Sequence, residues 1–390
     1  MFSSSKVLKK IRHRSAGPLF FHRQYHQPDV LLIALTALLV VGGLMFLSSA
    51  SSVVGFQRYG DVGYFLKGQI IKGVLPGILF FLFFSLFDYK NLKKMAPWLL
   101  ISSAVLLVAV FIPGLGAGYG KASSWLKLGP INFQPTELVK IFFLVYLAAW
   151  LENKQKTGAL NNLKYGMMPF VVTLGILGAL IMAQPDFGTF LIIVAISCGV
   201  YFLAHAPLKH FVLLFGAGAI MLLLLAFMAP YRMARLTSFI NPEKDPLGSG
   251  YQINQAKIAV GSGGWLGLGI GKSKQKFQYL PEVQADSIFA VIAEEMGFIF
   301  TSILVGLFLL FGFRAFRIST HAPDVFGQLL AGGIGIWLSM QALINIATMT
   351  GFFPLTGIPL PFISAGGTAM AVSLAVVGIL INISKQTKNA

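Results

Sequence analysis

The sequence is poor in charged residues and cysteine, and each shortage excludes a class of protein. Only 11% of its 390 residues are charged, whereas soluble domains of this size carry about 25%. With 56% hydrophobic residues, the chain is predicted to be an all-α integral membrane protein. Its single cysteine, Cys198, cannot form an internal disulfide, so cysteine usage does not indicate a redox compartment.

Ten apolar runs approach the roughly 20 residues that a helix needs to cross a bilayer. Because lipid offers no partners for backbone N–H and C=O groups, we expect each run to form a transmembrane helix. The predicted spans are residues 29–50, 66–87, 96–112, 135–151, 167–184, 186–204, 210–229, 286–313, 325–350 and 360–383.

Lysine and arginine are unevenly distributed between the loops. They concentrate in residues 1–28 and in every second loop after that, while the short opposite loops hold few. Both termini are therefore predicted to be cytoplasmic. The chain divides into a basic tail (1–28), a ten-helix domain (29–384) and a short cytoplasmic tail (385–390). The net charge of +17 is therefore explained by an orientation signal in the loops. Because of this distribution, nucleic acid is not an expected partner.

The longest loop, residues 230–285, is predicted to be extracellular and functional. Within it, "GYQINQAKIAVGSGG" is typical of a short amphipathic helix that lies at the membrane interface and ends at glycines. "GLGIGKS" (267–273) is not a phosphate loop, because Leu266 stands where that motif needs its first glycine; flexible turns are favoured. All six histidines fall on the predicted cytoplasmic side, which excludes histidine-based zinc or nucleophile sites outside.

Two polar groups at the predicted outer ends of spans are candidate site residues. Glu137 and Lys140 are three residues apart in "FQPTELVKIFF" and therefore share a helix face. They either belong to a binding site or form an ion pair that holds two helices together. Asp186, in the turn "QPDFGT", is either a site residue or the N-cap of the sixth helix.

Three carboxylates, Asp286, Glu294 and Glu295, lie at the head of the eighth span, in "DSIFAVIAEEMGFIF". Asp286 is the best candidate for a general base, since the apolar residues after it would partly desolvate its carboxylate and raise its pKa. The alternative is a helix N-cap. Glu294 and Glu295 lie about two turns deeper, and we expect them to be hydrogen-bonded inside the bundle.

Two further features complete the candidate set. Ser364 lies in "PLPFISAGG" (359–367), which opens the last span, and the glycines there would equally serve close helix packing. Trp125 is a candidate substrate contact, and both Trp125 and Trp265 would equally serve as interfacial anchors.

Taken together, "FQPTELVKIF", "QPDFGT", the long loop through "LPEVQADSIFAVIAEEMGF", and "GFFPLTGIPLPFISAGG" resemble the SEDS family of FtsW, RodA and SpoVE. The resemblance covers essentially the whole chain from the first span onward, with four motifs in the family's order. "KSKQKFQYLPE" and the long basic tail are most like the FtsW division branch.

The resemblance implies a peptidoglycan glycosyltransferase that polymerises lipid II on the outer face of the bacterial cytoplasmic (inner) membrane. It further implies a class B penicillin-binding protein as partner, among other divisome or elongasome membrane proteins. Asp286 takes the place of the family's essential loop aspartate. Glu137, Lys140 and Asp186 match its polar cavity residues, and Ser364 lies in its last motif.

This sequence departs from the family pattern beside several of these residues, which affects the expected local substrate contacts. The departures are Gln284, Ala285 and Ser287 around Asp286, Ser123 and Ser124 before Trp125, and Ala365 in the last motif.

The mechanism that follows from these expectations is a single inverting displacement with Asp286 as base, in which undecaprenyl pyrophosphate leaves. Positive charge would stabilise the leaving pyrophosphate. The candidates are Lys140, Arg235, Lys257 and a divalent cation, Mg²⁺ or Mn²⁺, held by carboxylates; no organic cofactor is expected.

Two other function classes compete with a transferase. A flippase or ion-coupled transporter would also place polar residues inside ten helices, and it predicts that the Glu137–Lys140 pair is essential while Asp286 is dispensable. A non-catalytic division scaffold predicts that Asp286→Asn leaves function intact.

Overall fold

The structure, a computed structural model, describes residues 27–119, 122–129, 131–227, 239, 249–277 and 279–387. Helices dominate this part of the chain, and each predicted apolar run coincides with one of them. In chain order the helices are α1 (Val30–Tyr59), α2 (Tyr64–Leu86), α3 (Tyr89–Ala109), α4 (Pro135–Lys156), α5 (Leu163–Ala183), α6 (Phe187–Leu203), α7 (Leu208–Phe227), α8 (Ser249–Ser262), α9 (Ile288–Thr320), α10 (Val325–Met349) and α11 (Gly367–Ser384).

Among the described residues, seven helices are long and apolar enough to cross a membrane: α1, α2, α3, α5, α9, α10 and α11. Helix α6 and the first part of α7 are shorter apolar helices, and α4 carries acidic and basic residues at both ends. The chain is therefore a multi-pass helical membrane protein. Ten crossings with both termini in the cytoplasm stay a prediction.

The helices are buried to very different degrees. The most apolar stretches of α10 and α11 are 78% and 83% buried, so these two helices form the centre of the bundle. In the surrounding helices, the most apolar stretches are only between 22% and 44% buried; these helices are α1, α2, α3, α5 and α9. Their outward residues, such as Val41 and Leu79, are exposed and apolar, as lipid-facing positions must be.

Several helix ends differ from the predicted spans, among them the start of α3 at Tyr89 and the end of α9 at Thr320. Helix α1 continues to Tyr59 and ends at Gly60, whose φ of 69° is the left-handed conformation that commonly terminates helices. Helix α11 begins at Gly367 and not at residue 360. The "PLPFISAGG" segment before it is not helical, and Phe362 within it has a φ of 65°.

A small antiparallel sheet lies between α3 and α4, which the all-α prediction did not include. Its strands are β1 (Gly116–Tyr119), β2 (Ala122–Leu128) and β3 (Ile131–Phe133), in the order β1-β2-β3. The sheet leads directly into α4, so it fixes where that helix starts.

Helix α8 lies where the sequence predicted a short helix in the long loop, and its place at the membrane interface stays a prediction. Ile253 and Ala256 are buried, whereas Ile258 is 51% exposed. Residues 253 and 256 are three apart and share a face, while 258 points elsewhere. The loop residues 228–238 and 240–248 lie outside the described part of the chain.

Helix α9 is interrupted at Gly297, where φ is 74° and ψ is −176°. The two helical hydrogen bonds that would span this point are replaced by four bonds to the loop of residues 263–276. They run from the N–H of Leu268 to the carbonyl of Glu294, from Gly269 to Glu295, from Phe298 to Gly264 and from Ile299 to Trp265. The loop therefore supplies the backbone partners that a break in a membrane helix would leave unpaired.

Glycine is required where this loop meets the helix. Gly267 has a φ of 79°, and a Cβ built on it would lie 2.2 Å from the carbonyl oxygen of Glu295. The turns predicted for the "GLGIGKS" stretch are present, and the N–H groups of Leu268 and Gly269 bind this part of the loop against α9.

Candidate active site

Glu137 and Lys140 lie in the first turns of α4, where Pro135 starts the helix. Their side chains are 3% and 2% exposed, and Lys140 Nζ lies 2.8 Å from Glu137 Oε1. The ion pair expected from their spacing is confirmed. Because both members belong to α4, the pair by itself does not join two helices.

The connection to a second helix comes from α10. Lys140 Nζ also donates to Gln341 Oε1 at 3.0 Å and lies 4.9 Å from the centre of the Trp337 ring. Trp337 Nε1 donates to the same oxygen of Gln341 at 2.9 Å. The ammonium is thus held by a carboxylate, an amide and an aromatic face, all buried. Sequence reasoning did not identify Gln341; the available signal was a polar residue within an apolar helix.

Asp186 is the N-cap of α6, as one of the two interpretations predicted. Its carboxylate accepts from the N–H of Thr189 at 3.0 Å and from the Thr189 hydroxyl at 2.8 Å. Gln134 Nε2 lies 3.5 Å from the same carboxylate. Capping and membership of the site are compatible here, since Asp186 also borders a cavity with Glu137 and Lys140.

That cavity has a volume of about 60 Å³. It is lined by Gln134, Glu137, Lys140, Asp186, Thr189, Ile192, Gly357, Ile358 and Pro359. A water molecule occupies roughly 30 Å³ in the liquid, so the cavity has room for a small polar group and not for a sugar ring.

Asp286 lies two residues before the start of α9 and is partly exposed. The N-cap of α9 is Ser287, so the N-cap interpretation of Asp286 is wrong. Gln252 Nε2, from α8, lies 3.4 and 3.5 Å from the two carboxylate oxygens of Asp286. The following side chains, Ile288 and Phe289, are buried, so the carboxylate stands where the apolar core begins.

Three bonds from other elements hold the main chain at this position. Asn345 on α10 donates to the carbonyl of Asp286 at 2.8 Å. The Ser364 hydroxyl donates to the carbonyl of Ala285 at 2.6 Å, and the N–H of Ala365 donates to that of Gln284 at 2.8 Å. Ser364, a predicted site residue, therefore lies beside the candidate base. Its hydroxyl contacts the main chain there.

Close packing, the alternative for the "PLPFISAGG" segment, also applies. A Cβ on Gly367 would lie 2.9 Å from the carbonyl oxygen of Lys72 on α2. Gln69, one turn earlier on α2, donates to the Ser364 carbonyl and accepts from the N–H of Gly366. The segment is thus hydrogen-bonded to α2 on one side and to the main chain just before Asp286 on the other.

Glu294 and Glu295 are each 1% exposed and hydrogen-bonded, as predicted. Glu294 accepts from the Ser273 hydroxyl at 2.5 Å and from the N–H of Lys274 at 2.9 Å. Glu295 lies 2.9 Å from Lys276 Nζ, whose side chain is 4% exposed. Their main partners belong to the 263–276 loop, so these acids fasten the loop to α9.

The remaining candidates lie elsewhere or outside the described residues. Trp125 is partly exposed on β2, opposite Ala117. Lys257 is exposed on α8, and its side chain lies across Gly351 at the end of α10. Arg235 is outside the described part of the chain. The roles predicted for all three in substrate binding stay predictions.

The departures from the family pattern have definite positions. Gln284 is buried and donates to Glu282, whose φ of 51° is left-handed. Ser287 is buried and accepts from Gln252 at 3.0 Å. Ala365 contributes its N–H to the main-chain bond described above. Ser124 is buried next to Trp125.

A metal site was predicted from carboxylates. Among the described residues, no group of three or more His, Cys, Asp or Glu side chains is arranged to hold a metal ion. Glu137, which borders the small cavity with Asp186, is already paired with Lys140. These residues therefore do not fit a divalent cation, and the cation stays a prediction.

The fold and these sites define a class: a multi-pass membrane protein with a partly exposed acid beside buried, paired polar groups. The sequence-family model for the FtsW/RodA/SpoVE cell cycle proteins matches residues 29–389. The chain belongs to that family.

Relatives and solved structures agree with this. Stage V sporulation protein E of Bacillus subtilis is 39% identical over 361 residues, covering 93% of this chain and 98% of that one. The probable peptidoglycan glycosyltransferase FtsW of Trichlorobacter lovleyi is 39% identical over 365 residues, covering 93% and 94%. A chain from a peptidoglycan synthase complex has a TM-score of 0.78 at 25% identity, covering 93% and 99%.

Proposed function

We propose that the chain polymerises lipid II into glycan strands as a peptidoglycan glycosyltransferase of the FtsW type. The observation that carries this proposal is Asp286: a partly exposed carboxylate at the edge of the apolar core, with its main chain held by α10 and the "PLPFISAGG" segment. A general base needs this combination of access and fixed position. The FtsW relatives, which are named probable peptidoglycan glycosyltransferases, support the same activity.

The reaction is an inverting displacement. Asp286 takes the proton from the acceptor's sugar hydroxyl while that oxygen attacks the anomeric carbon of the donor. The bond from that carbon to the pyrophosphate oxygen breaks, and undecaprenyl pyrophosphate leaves. One carboxylate is sufficient, because a pyrophosphate leaves without protonation where positive charge is near.

Two cavities are suited to the two parts of the substrate. A cavity of about 400 Å³ lies between the end of α1 and the chain before Asp286, lined by Val54, Gln57, Arg58, Leu280, Pro281, Glu282 and Gln284. Its volume is within the roughly 300–1,000 Å³ of ligand sites, and its amides and charges suit sugar hydroxyls. The small cavity beside Lys140 has room only for a group such as a phosphate, which would have to displace Glu137 or Gln341 from the ammonium.

The location and partners follow from the family. We propose that the site faces the outer side of the bacterial inner membrane, and that a class B penicillin-binding protein and other division proteins bind the chain. The match to a chain of a peptidoglycan synthase complex supports a partner of this kind.

The test is polymerisation of labelled lipid II by the purified chain with its cognate class B transpeptidase. Asp61→Asn, the same chemical change at an exposed ion-paired carboxylate, is the matched control for Asp286→Asn. We expect glycan ladders from the wild type and Asp61→Asn and none from Asp286→Asn.

Other outcomes have definite meanings. Ladders from Asp286→Asn would place the base elsewhere, with Glu137 and Asp186 the next candidates. A folded, partner-bound wild type that makes no ladder would favour the flippase or the scaffold. Loss of ladders on chelation, and recovery with Mg²⁺ or Mn²⁺, would establish the divalent cation.

A further inference from the structure

Helix α10 carries two buried amide side chains that serve one segment of the chain. Gln341 and Asn345 are 2% and 1% exposed and four residues apart, so they share a helix face. Gln341 Nε2 donates to the carbonyl of Pro359 at 3.0 Å, and Asn345 Nδ2 donates to that of Ile358 at 2.8 Å. Both amides thus bind adjacent carbonyls of the chain that leads into the "PLPFISAGG" segment.

Each amide also binds one of the candidate site residues. Gln341 Oε1 accepts from Lys140 Nζ at 3.0 Å. Asn345 Nδ2 donates to the carbonyl of Asp286 at 2.8 Å. A continuous set of hydrogen bonds therefore joins Asp286, Asn345, residues 358–359, Gln341 and Lys140.

The orientation of Asn345 is determined by its acceptors. Its NH₂ group faces two main-chain carbonyls, and flipping the amide would turn an oxygen toward both. Its own Oδ1 is buried, and among the described residues it has no hydrogen-bond partner. Because a buried unpaired oxygen is unfavourable, packing alone does not explain an asparagine here; leucine would fill similar space.

We propose that Asn345 and Gln341 are positioning residues: Asn345 fixes the backbone at Asp286, and Gln341 fixes the ammonium of Lys140. This inference rests on the proposed function for its effect on turnover. Neither side chain is assigned to the reacting atoms. Residues 358–359, bound by both amides, keep the two positions in register.

The test compares Asn345→Leu with Thr348→Val, a matched loss of a buried polar group one turn along α10. Thr348 Oγ1 donates to the carbonyls of Ile344 and Pro354 and touches neither candidate site residue. With lipid II and the class B transpeptidase, we expect Asn345→Leu to lower kcat on the order of 10²-fold with little change in KM, as misplacement of a catalytic group by about 1 Å does. Thr348→Val should stay within about twofold of the wild type.

A second readout is independent of activity. Hydrogen exchange should rise in Asn345→Leu at the amides of residues 284–288 and stay unchanged at 294–299, which the 263–276 loop holds separately. Uniformly faster exchange over both segments, or equal losses of kcat in both variants, would overturn the proposal. If Asn345→Leu does not fold, Asn345→Ser replaces it with the same expectations.

The two proposals fail separately. If the wild type makes no glycan, the proposed function fails while the exchange experiment still decides whether Asn345 holds Asp286. If the wild type is active and exchange at 284–288 is unchanged in the variant, only the positioning role is lost.

Discussion

The carboxylates of Asp286 and of the pair Glu294 and Glu295 lie on the same stretch of chain and are held very differently. Asp286 is partly exposed, and its carboxylate lies 3.4 and 3.5 Å from Gln252. The two glutamates are 1% exposed and accept bonds as short as 2.5 and 2.8 Å. The main chain at Asp286 is held by Asn345 and Ser364, whereas the glutamates are bound to the 263–276 loop through their carboxylates. A carboxylate that must exchange a proton with substrate has to remain accessible, and one that fastens a loop does not.

Asparagine or glutamine substitutions should separate these roles most strongly. We expect Asp286→Asn to lower the polymerisation rate about 10²–10⁴-fold, the usual contribution of a general base, without changing the melting temperature in detergent. Glu294→Gln should instead weaken the bonds to Ser273 and Lys274 and lower stability by roughly 1.5–3 kcal/mol. Thermal melting of both variants beside rate measurements checks this. A destabilised Asp286→Asn would remove the distinction.

The buried pair of Lys276 and Glu295 offers a second comparison, within the loop anchor itself. Lys276→Met leaves Glu295 buried without its cation and should destabilise the fold by roughly 3–5 kcal/mol. The double variant Lys276→Met/Glu295→Gln removes both charges and should recover much of that loss. Melting temperatures of the two variants give the answer, and equal losses in both would show that the unpaired charge of Glu295 is not what destabilises Lys276→Met.

Gly267→Ala tests the anchor without changing charge. The added Cβ would meet the Glu295 carbonyl at 2.2 Å in a left-handed backbone, so we expect a loss of about 1–3 kcal/mol. Gly271→Ala is the matched control. Gly271 also has a positive φ, but a Cβ built on it meets no other described part of the chain within 4 Å. If the two alanines cost the same, backbone conformation and not the contact with α9 sets the requirement.

The smallest expected effect concerns an exposed acid, the opposite extreme from Glu294. The Lys67 ammonium and the Gly63 N–H lower the pKa of Asp61 below its ordinary value of 3.8. Its stabilising contribution is therefore present at neutral pH and is lost as pH falls through this lowered pKa. The titration of the Asp61 carboxyl ¹³C shift should have its midpoint at a lower pH in the wild type than in Lys67→Met. Identical midpoints would mean that the ion pair does not persist in solution.

Local patterns allowed some of this to be predicted. The helices follow from apolar runs, the Glu137–Lys140 pair from a spacing of three residues, and the cap at Asp186 from its place before an apolar run. Each of these depends on neighbours within one or two turns. The hydrogen bonding of Glu294 and Glu295 was also predictable, because burying a charge without partners is costly.

The rest depends on contacts between distant parts of the chain. Asn345 and Gln341 bind residues 59 and 201 positions away, and nothing in the apolar sequence of α10 specifies those partners. The break at Gly297 could not be located because a single glycine within a helical pattern is usually tolerated. The sheet had a usable signal in the Gly-Pro pair at 129–130 between two short strand-forming segments.

The break in α9 constrains how this protein can be recombined with its relatives. The 263–276 loop and residues 294–299 complete each other's backbone, so neither keeps its hydrogen bonds when the other changes length. A chimera that takes the loop from one relative and a helix of mismatched length from another would leave the backbone groups at the break without these partners. Residues 263–299 should therefore be exchanged as one block, with crossovers placed outside it.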